Sequence, residues 1–406
     1  MKTIAVIGGG AAGLMAAGTA HENGAAVTIF EKNTKLGRKI AITGKGRCNV
    51  TNNCTENEFF ANVVTNTRFM YSSVSAFSPT DVMNFFEERK VPLKTERGNR
   101  VFPVSDRAYD IVDALAAYAS RCKIVHEAVT DISVNNGRVD GVFVKDRFYP
   151  FNAVIICTGG ASYPLTGSTG DGYRFAEKAG HTVIEPRGAL IPIETDDRYD
   201  LAGLSLKNVT LNVSLNGKNV YSELGEMLFT HFGISGPLVL TASSLMKHSP
   251  LHDYLMTVDL KPALDHQMLD KRLLTDFEKY KNKNFGNALG DLLPIRLIPL
   301  IIGMSGISEY KKVFAITKEE RGKLCSVIKA FPVSPVSFRP IEEAIITSGG
   351  VSVKELHPKT MESKLVSGLY FAGEIIDVDA FTGGFNLQIA FSTGRAAGIA
   401  ASEEYE

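Results

Sequence analysis

The sequence has no long run of like charge, no cysteine pair at metal-binding spacing, no unbroken apolar stretch of membrane length and no internal repeat. Each absence closes a class of function. Lysines and arginines number 44 and so do aspartates and glutamates, with no basic stripe, so neither nucleic acid nor an anionic membrane surface is an expected partner. A small-molecule substrate is expected instead. The five cysteines, Cys48, Cys54, Cys122, Cys157 and Cys325, are odd in number and include no C-x-x-C pair. A disulfide framework and a metal centre are therefore not expected, and a reducing cytoplasm is the simplest location. The most apolar segment, residues 289–302, is interrupted by Asp291, Arg296 and two prolines. That composition does not suit a membrane span. The lysine and apolar stretch at the N-terminus are explained by the glycines that follow better than by a signal peptide. Nothing in the composition fixes an oligomeric state.

What the chain does have begins at its first residues. Ile4-Ala5-Val6-Ile7 reads as a buried strand that runs into Gly8, Gly10 and Gly13 at G-x-G-x-x-G spacing, and residues 11–24 read as a helix. The glycines allow a tight turn, close backbone approach to a pyrophosphate, and close packing of helix on strand. Phosphate then rests on the helix N-terminus, where unpaired N–H groups and the positive end of the dipole face it. A second strand, Val27-Thr28-Ile29-Phe30, ends at Glu31, followed by Lys32. A carboxylate at that position accepts ribose hydroxyls and repels a 2′-phosphate, so the cofactor is FAD or NAD.

At 406 residues, two or three domains are expected. The first part alternates strands and helices, with helices expected over 80–89 and 106–121, a hairpin at Asn136-Gly137, a buried strand over 153–157 and a helix after Thr169-Gly170-Asp171-Gly172. Strands dominate after residue 187, and helices follow over 266–280, 286–293 and 318–329. Beyond Pro340 the chain returns to its first style. The expected fold is α/β, with a discontinuous Rossmann-type, glutathione-reductase-like FAD-binding domain over 1–186 and 336–406. An antiparallel β-barrel-like substrate domain over 187–262 and a helical domain over 263–335 are inserted in it.

Downstream segments favour FAD over NAD. Phe371-Ala372-Gly373-Glu374 resembles the second contact strand near the C-terminus of FAD-binding proteins of the two-dinucleotide-reductase type, a resemblance that implies Glu374 or Asp377 as the contact for a ribityl chain. A helix opening at Gly384-Phe385-Asn386-Leu387 offers N–H groups that can stabilise negative charge on a flavin ring. Residues 36–53 form a basic, glycine-rich loop that includes Arg38, Lys39, Thr43, Gly44 and Arg47, cations and flexible backbone suited to wrapping a diphosphate. Cys48 in that loop reads as a packed residue rather than a redox group. Thr158 and Gly159, at the end of a buried strand, suit close passage under a cofactor.

Gly37-Arg38-Lys39, Arg47-Cys48-Asn49, Thr51-Asn52, Arg100-Val101-Phe102-Pro103, Ser105-Asp106, residues 228–237 and Gly383-Gly384-Phe385-Asn386 together resemble the BaiN-type, aminoacetone oxidase-like flavoprotein family along essentially the whole chain. The resemblance implies non-covalent FAD lying against Ala12, Glu31, Arg38, Lys39, Thr43, Arg47, Cys48 and Asn49. It implies the same of Val129, Glu374, Asp377 and residues 384–387. It leaves the reaction open, since amine oxidation and reduction of unsaturated steroid-like acids both occur in the family.

The expected activity is that of an FAD-dependent oxidoreductase exchanging an electron pair with a small organic substrate, with NAD(P)H or O2 as the other partner. A single G-x-G-x-x-G leaves no dedicated nicotinamide domain, so NAD(P)H would visit transiently. His231, in Thr230-His231-Phe232-Gly233, is the leading candidate for proton transfer, and Tyr163 is the second. The inserted part is expected to roof the flavin. The competing readings are a fumarate-reductase-like C=C reductase, suggested by residues 169–172, and a non-catalytic flavin sensor or RNA-modification partner.

Overall fold

Four consecutive apolar residues at Ile4 to Ile7 leave no face for water, as a strand covered on both sides requires. In the computed structural model, which describes residues 1–196, 199–246 and 249–403, they lie in Thr3–Ile7, the central strand of a five-stranded sheet. Across the sheet the order is Leu369–Phe371, Ala153–Ile156, Thr3–Ile7, Ala26–Phe30, Lys123–Val125, and every pairing is parallel. The strand nearest the end of the sequence thus completes a sheet begun at residue 3. Helix Ala11–Glu22 and helix Phe385–Ser402 pack together, and glycines set how closely they approach. A Cβ on Gly394 would stand 2.4 Å from the Ala12 carbonyl oxygen, and one on Gly398 would stand 2.5 Å from that of Ala16.

The chain divides into two units, Met1–Ala189 with Pro340–Glu406, and Leu190–Arg339. In the first, the expected helices occur as Pro79–Glu88, Ala108–Tyr118 and Asp171–Lys178. Asn136 and Gly137 take positive φ (50° and 73°) and join Val129–Asn135 to Arg138–Val144 as a hairpin. Residues 36–53, expected as a loop, contain a short helix, Arg38–Ile42, entered through Gly37 at φ 63°.

The second unit carries a seven-stranded antiparallel sheet with open edges at Phe331–Val333 and Pro335–Phe338. Its helices and strands share one core: Leu269, Leu273 and Phe277 belong to the same buried cluster as Leu211, Met256 and Phe331. Asp265 caps helix His266–Lys279 by accepting the Met268 N–H at 2.7 Å. The helix expected over 286–293 is instead a single 3-10 turn, Phe285–Asn287. Gly286, Gly290 and Pro294 account for this, since glycine adds backbone entropy and the residue before proline disfavours helical geometry. Among the described residues, no helix is long and apolar enough to cross a membrane.

A candidate dinucleotide-binding site

The three glycines of the opening motif do different jobs. Gly8 has φ 107°, and a Cβ there would lie 2.4 Å from the Cys157 carbonyl oxygen; one on Gly13 would lie 1.9 Å from that of Gly8. Both positions are closed by the protein's own backbone. Gly10 has ordinary extended geometry, and a Cβ there would meet nothing within 4 Å. Its missing side chain keeps open the space before the first turn of Ala11–Glu22, which includes Ala12 and has no side-chain cap. That is a cradle for an anion, and a pyrophosphate fits it.

Glu31, 9% exposed, accepts the Gly9 N–H at 2.8 Å on Oε2 and both the backbone and side-chain N–H groups of Asn33 on Oε1. A carboxylate has about four acceptor sites, so capacity remains for a hydroxyl. Arg38 donates to the Asn33 amide oxygen at 2.6 Å, extending the chain Glu31–Asn33–Arg38. Lys32 points elsewhere, pairing with Asp171 at 2.6 Å.

Lys39 and Glu374, which the sequence assigns to phosphate and ribityl, are bound to each other at 2.6 Å. Ser162, fully buried, accepts from Lys39 at 2.7 Å and donates to Glu374 at 2.9 Å; the Thr347 N–H donates to the same carboxylate. Burial raises the Glu374 pKa, but the Lys39 charge and these hydrogen bonds outweigh it and hold the carboxyl below its usual range. A Cβ on Gly160 would stand 2.3 Å from Thr347 Oγ1, so glycine there lets the network close. Neither Ser162 nor Thr347 is signalled by any motif. Above the sheet, Gly373 (φ 81°) donates to the buried Thr393 hydroxyl and lies against Ala12.

The loop after Arg38–Ile42 turns through four left-handed residues, Gly44, Lys45, Gly46 and Cys48. Thr43 closes it by donating to the Ile40 carbonyl at 2.7 Å. Cys48 is fully buried, and burial pushes its thiol up to about 12, which leaves an inert packed side chain. The Asn49 amide oxygen is buried without a hydrogen-bond partner, and so are the hydroxyls of Thr158 and Tyr173. A buried acceptor left unpaired costs about 1–3 kcal/mol, so a hydroxyl-bearing ligand beside Asn49 is a physical fit. Arg47, by contrast, pairs with Glu96 at 2.8 Å and Asp106 at 3.2 Å and lies over the Phe102 ring at 4.1 Å. Its charge is spent in that cluster.

Helix Phe385–Ser402 starts at Gly383 and Gly384 (φ 126° and 98°), and a Cβ on Gly384 would stand 2.3 Å from the Thr51 carbonyl oxygen. The helix has no side-chain cap, so its first-turn N–H groups remain for a ligand. Asn386 is used locally: its side chain clamps the Ala380 N–H and carbonyl. Phe385 packs edge-on against Phe59, and Leu387 is half-buried. Asp377 accepts from Asn66 at 2.9 Å, Gly159 has φ 72°, and buried Val129 faces Val144 in the hairpin.

Tyr163 also has positive φ (51°), is half-buried, and donates its N–H to the Glu342 carbonyl. His231 belongs to the other unit, exposed on the turn between Lys218–Phe229 and Gly233–Ser235. Its ring leans edge-on against Phe232 at 5.0 Å.

A family model described as the HI0933-like protein Rossmann domain matches residues 2–400. A ribosomal RNA dihydrouridine synthase of Haemophilus influenzae is 32% identical over 410 residues, covering 98% of each chain. A 3-dehydro-bile acid delta(4,6)-reductase of Clostridium scindens is 28% identical over 99% of this chain and all of its own length. Among solved structures, a 3-ketosteroid-delta4-(5alpha)-dehydrogenase from Rhodococcus jostii RHA1 superposes with a TM-score of 0.51 at 14% identity, over 99% of this chain and 96% of that one, a likeness of fold.

Proposed function

Since the chain belongs to the HI0933-like Rossmann-domain family of FAD-dependent oxidoreductases, we propose that it reduces a carbon–carbon double bond conjugated to a carbonyl, and that the bond is C5=C6 of a uracil in RNA. The full-length similarity to a ribosomal RNA dihydrouridine synthase carries this reading, because dihydrouridine is uridine saturated at that bond. The bile acid reductase bears a name for the same chemistry on a steroid-like dienone, which favours a small enone as the second substrate class.

FAD, bound in this cradle, would supply the electron pair. Glu31 would orient its ribose, the first turns of Ala11–Glu22 and Phe385–Ser402 would offer N–H groups to its anionic parts, and Asn49 would offer an unpaired acceptor. The Lys39–Glu374 pair ties the segment after Gly37 to the segment after Gly373. Reduction also consumes one proton at the carbon next to the carbonyl. His231 is our candidate donor: among the described residues neither ring nitrogen is held by a hydrogen bond. Tyr163 is the alternative. Reduced nicotinamide is the proposed source of electrons, arriving transiently because no second G-x-G-x-x-G exists.

The test is to incubate the FAD-loaded protein with NADH or NADPH and either unmodified ribosomal RNA, a steroid dienone or a primary amine. Dihydrouridine in the digested RNA supports the proposal. Product from the dienone alone moves the substrate to small enones, and amine-dependent peroxide refutes the reaction class.

A further inference from the structure

An open surface hollow of about 550 Å³ lies in the first unit and shares no lining residue with the dinucleotide cradle. It is lined by Asn66, Thr67, Arg68, Phe69, Tyr71 and Val353. Arg68 is its one charged residue, exposed, and its guanidinium makes no hydrogen bond or ion pair to any described residue. Tyr71 is 48% exposed, and Phe60 supports its ring from one side at 4.5 Å between centroids. The Asn66 amide nitrogen is committed to Asp377, donating to its carbonyl at 2.6 Å and its carboxylate at 2.9 Å, so the Asn66 oxygen is left to accept. The Thr67 hydroxyl donates to the Val63 carbonyl at 3.1 Å and likewise keeps an accepting oxygen. Phe69 and Val353 supply the apolar part.

A free guanidinium, a supported aromatic ring and two acceptors match the parts of one pyrimidine nucleotide. Arginine takes the phosphate, the ring stacks the base, and uracil presents a single N–H to an acceptor. The wall is tied to the cofactor segment, since the N–H groups of Val64 and Thr65 donate to the Asp379 carbonyl, and Asn66 holds Asp377 three residues after Glu374. We infer that this hollow is a subsite for a nucleotide of the RNA strand flanking the uridine to be reduced, an inference that rests on the RNA reading above.

Fluorescence anisotropy of a fluorescein-labelled, uridine-containing single-stranded RNA, titrated with the FAD-loaded full chain at several salt concentrations, tests it. Arg68→Ala should weaken binding and flatten the dependence of log K on log salt by about 0.7, the share of one phosphate on a single strand, while Arg68→Lys keeps the slope. Tyr71→Ala should weaken binding about tenfold without changing the slope, and Tyr71→Phe should restore it. If both alanine variants bind the RNA as the unmodified protein does, the hollow is not a nucleotide subsite, although RNA remains a ligand. If Arg68→Ala sheds FAD, seen as lost visible absorbance, the hollow belongs to the cofactor and the inference is overturned. An unmodified protein that reduces a dienone yet binds no RNA overturns both this inference and the RNA reading.

Discussion

Replacing Lys39 with methionine keeps the stem of the side chain and removes the cation that Glu374 faces. The carboxylate would retain the Ser162 hydroxyl and the Thr347 N–H but lose its ion pair with Lys39. Breaking a fully buried pair on one side costs about 3–5 kcal/mol. Here the two side chains keep 22% and 21% exposure, so solvent screening brings the expected cost to about 2–3 kcal/mol. For a unit of this size that is a fall in Tm of roughly 5–10 °C. The pH dependence carries a sign. In the unmodified protein Glu374 titrates below its usual range, so its stabilisation is present above the unfolded value and fades as pH falls through the lower folded value. Without Lys39, burial is opposed only by the Ser162 and Thr347 hydrogen bonds and the Glu374 pKa rises from its value in the unmodified protein, so the variant's deficit should be largest near neutrality and shrink on acidification as the carboxyl takes up a proton. Differential scanning calorimetry across pH, with and without FAD, reads this directly. The deficit should persist without FAD, because the pair lies within the protein. A deficit seen only with FAD bound would mean that Lys39 serves phosphate, and a loss below about 0.5 kcal/mol at neutrality would refute the argument from burial.

The glycines of the opening motif should separate by role. Gly13→Ala should lower the Tm of the FAD-free protein by several degrees, whereas Gly10→Ala should leave that Tm unchanged and weaken FAD binding, measured by fluorescence titration. Glu31→Gln should weaken FAD binding about tenfold through loss of a charged acceptor, with the Gly9 contact retained. Cys48, with its thiol pushed up to about 12, should resist iodoacetamide in the folded protein at neutral pH and react once urea unfolds it, as followed by mass spectrometry. His231→Ala should slow turnover while bound FAD stays constant; unchanged turnover would remove His231 from the mechanism.

The parallel sheet was legible because its signals are local and periodic. Ile4 to Ile7, the glycine spacing and Glu31 each announce a backbone geometry within a few residues, and the Asn136-Gly137 turn does the same for the hairpin. Partnerships across long separations were not legible. Lys39 and Glu374 are 335 residues apart, and either could have faced the ligand until the fold brought them together. Arg47 is similar: Glu96 and Asp106 claim it through a turn that no motif in residues 37–52 encodes. The apolar residues of 286–293 suggest a helix, but two glycines and the following proline leave only the turn Phe285–Asn287. Whole-chain charge balance, a sum over 88 lysine, arginine, aspartate and glutamate side chains, has no way to register a single unclaimed guanidinium such as that of Arg68.

The strand order also sets a timetable for synthesis. Ala153–Ile156 sits between Thr3–Ile7 and Leu369–Phe371, and Ala11–Glu22 is packed by Phe385–Ser402, so the first helix waits for the last before its glycine-lined contact can form. At ribosomal speeds that wait is on the order of tens of seconds. Leu190–Arg339 carries its own sheet and core and can order within it, while the opening strand and helix stay without their final neighbours, their apolar surface exposed to other chains. Chaperone demand should therefore fall on the N-terminal third of the nascent chain.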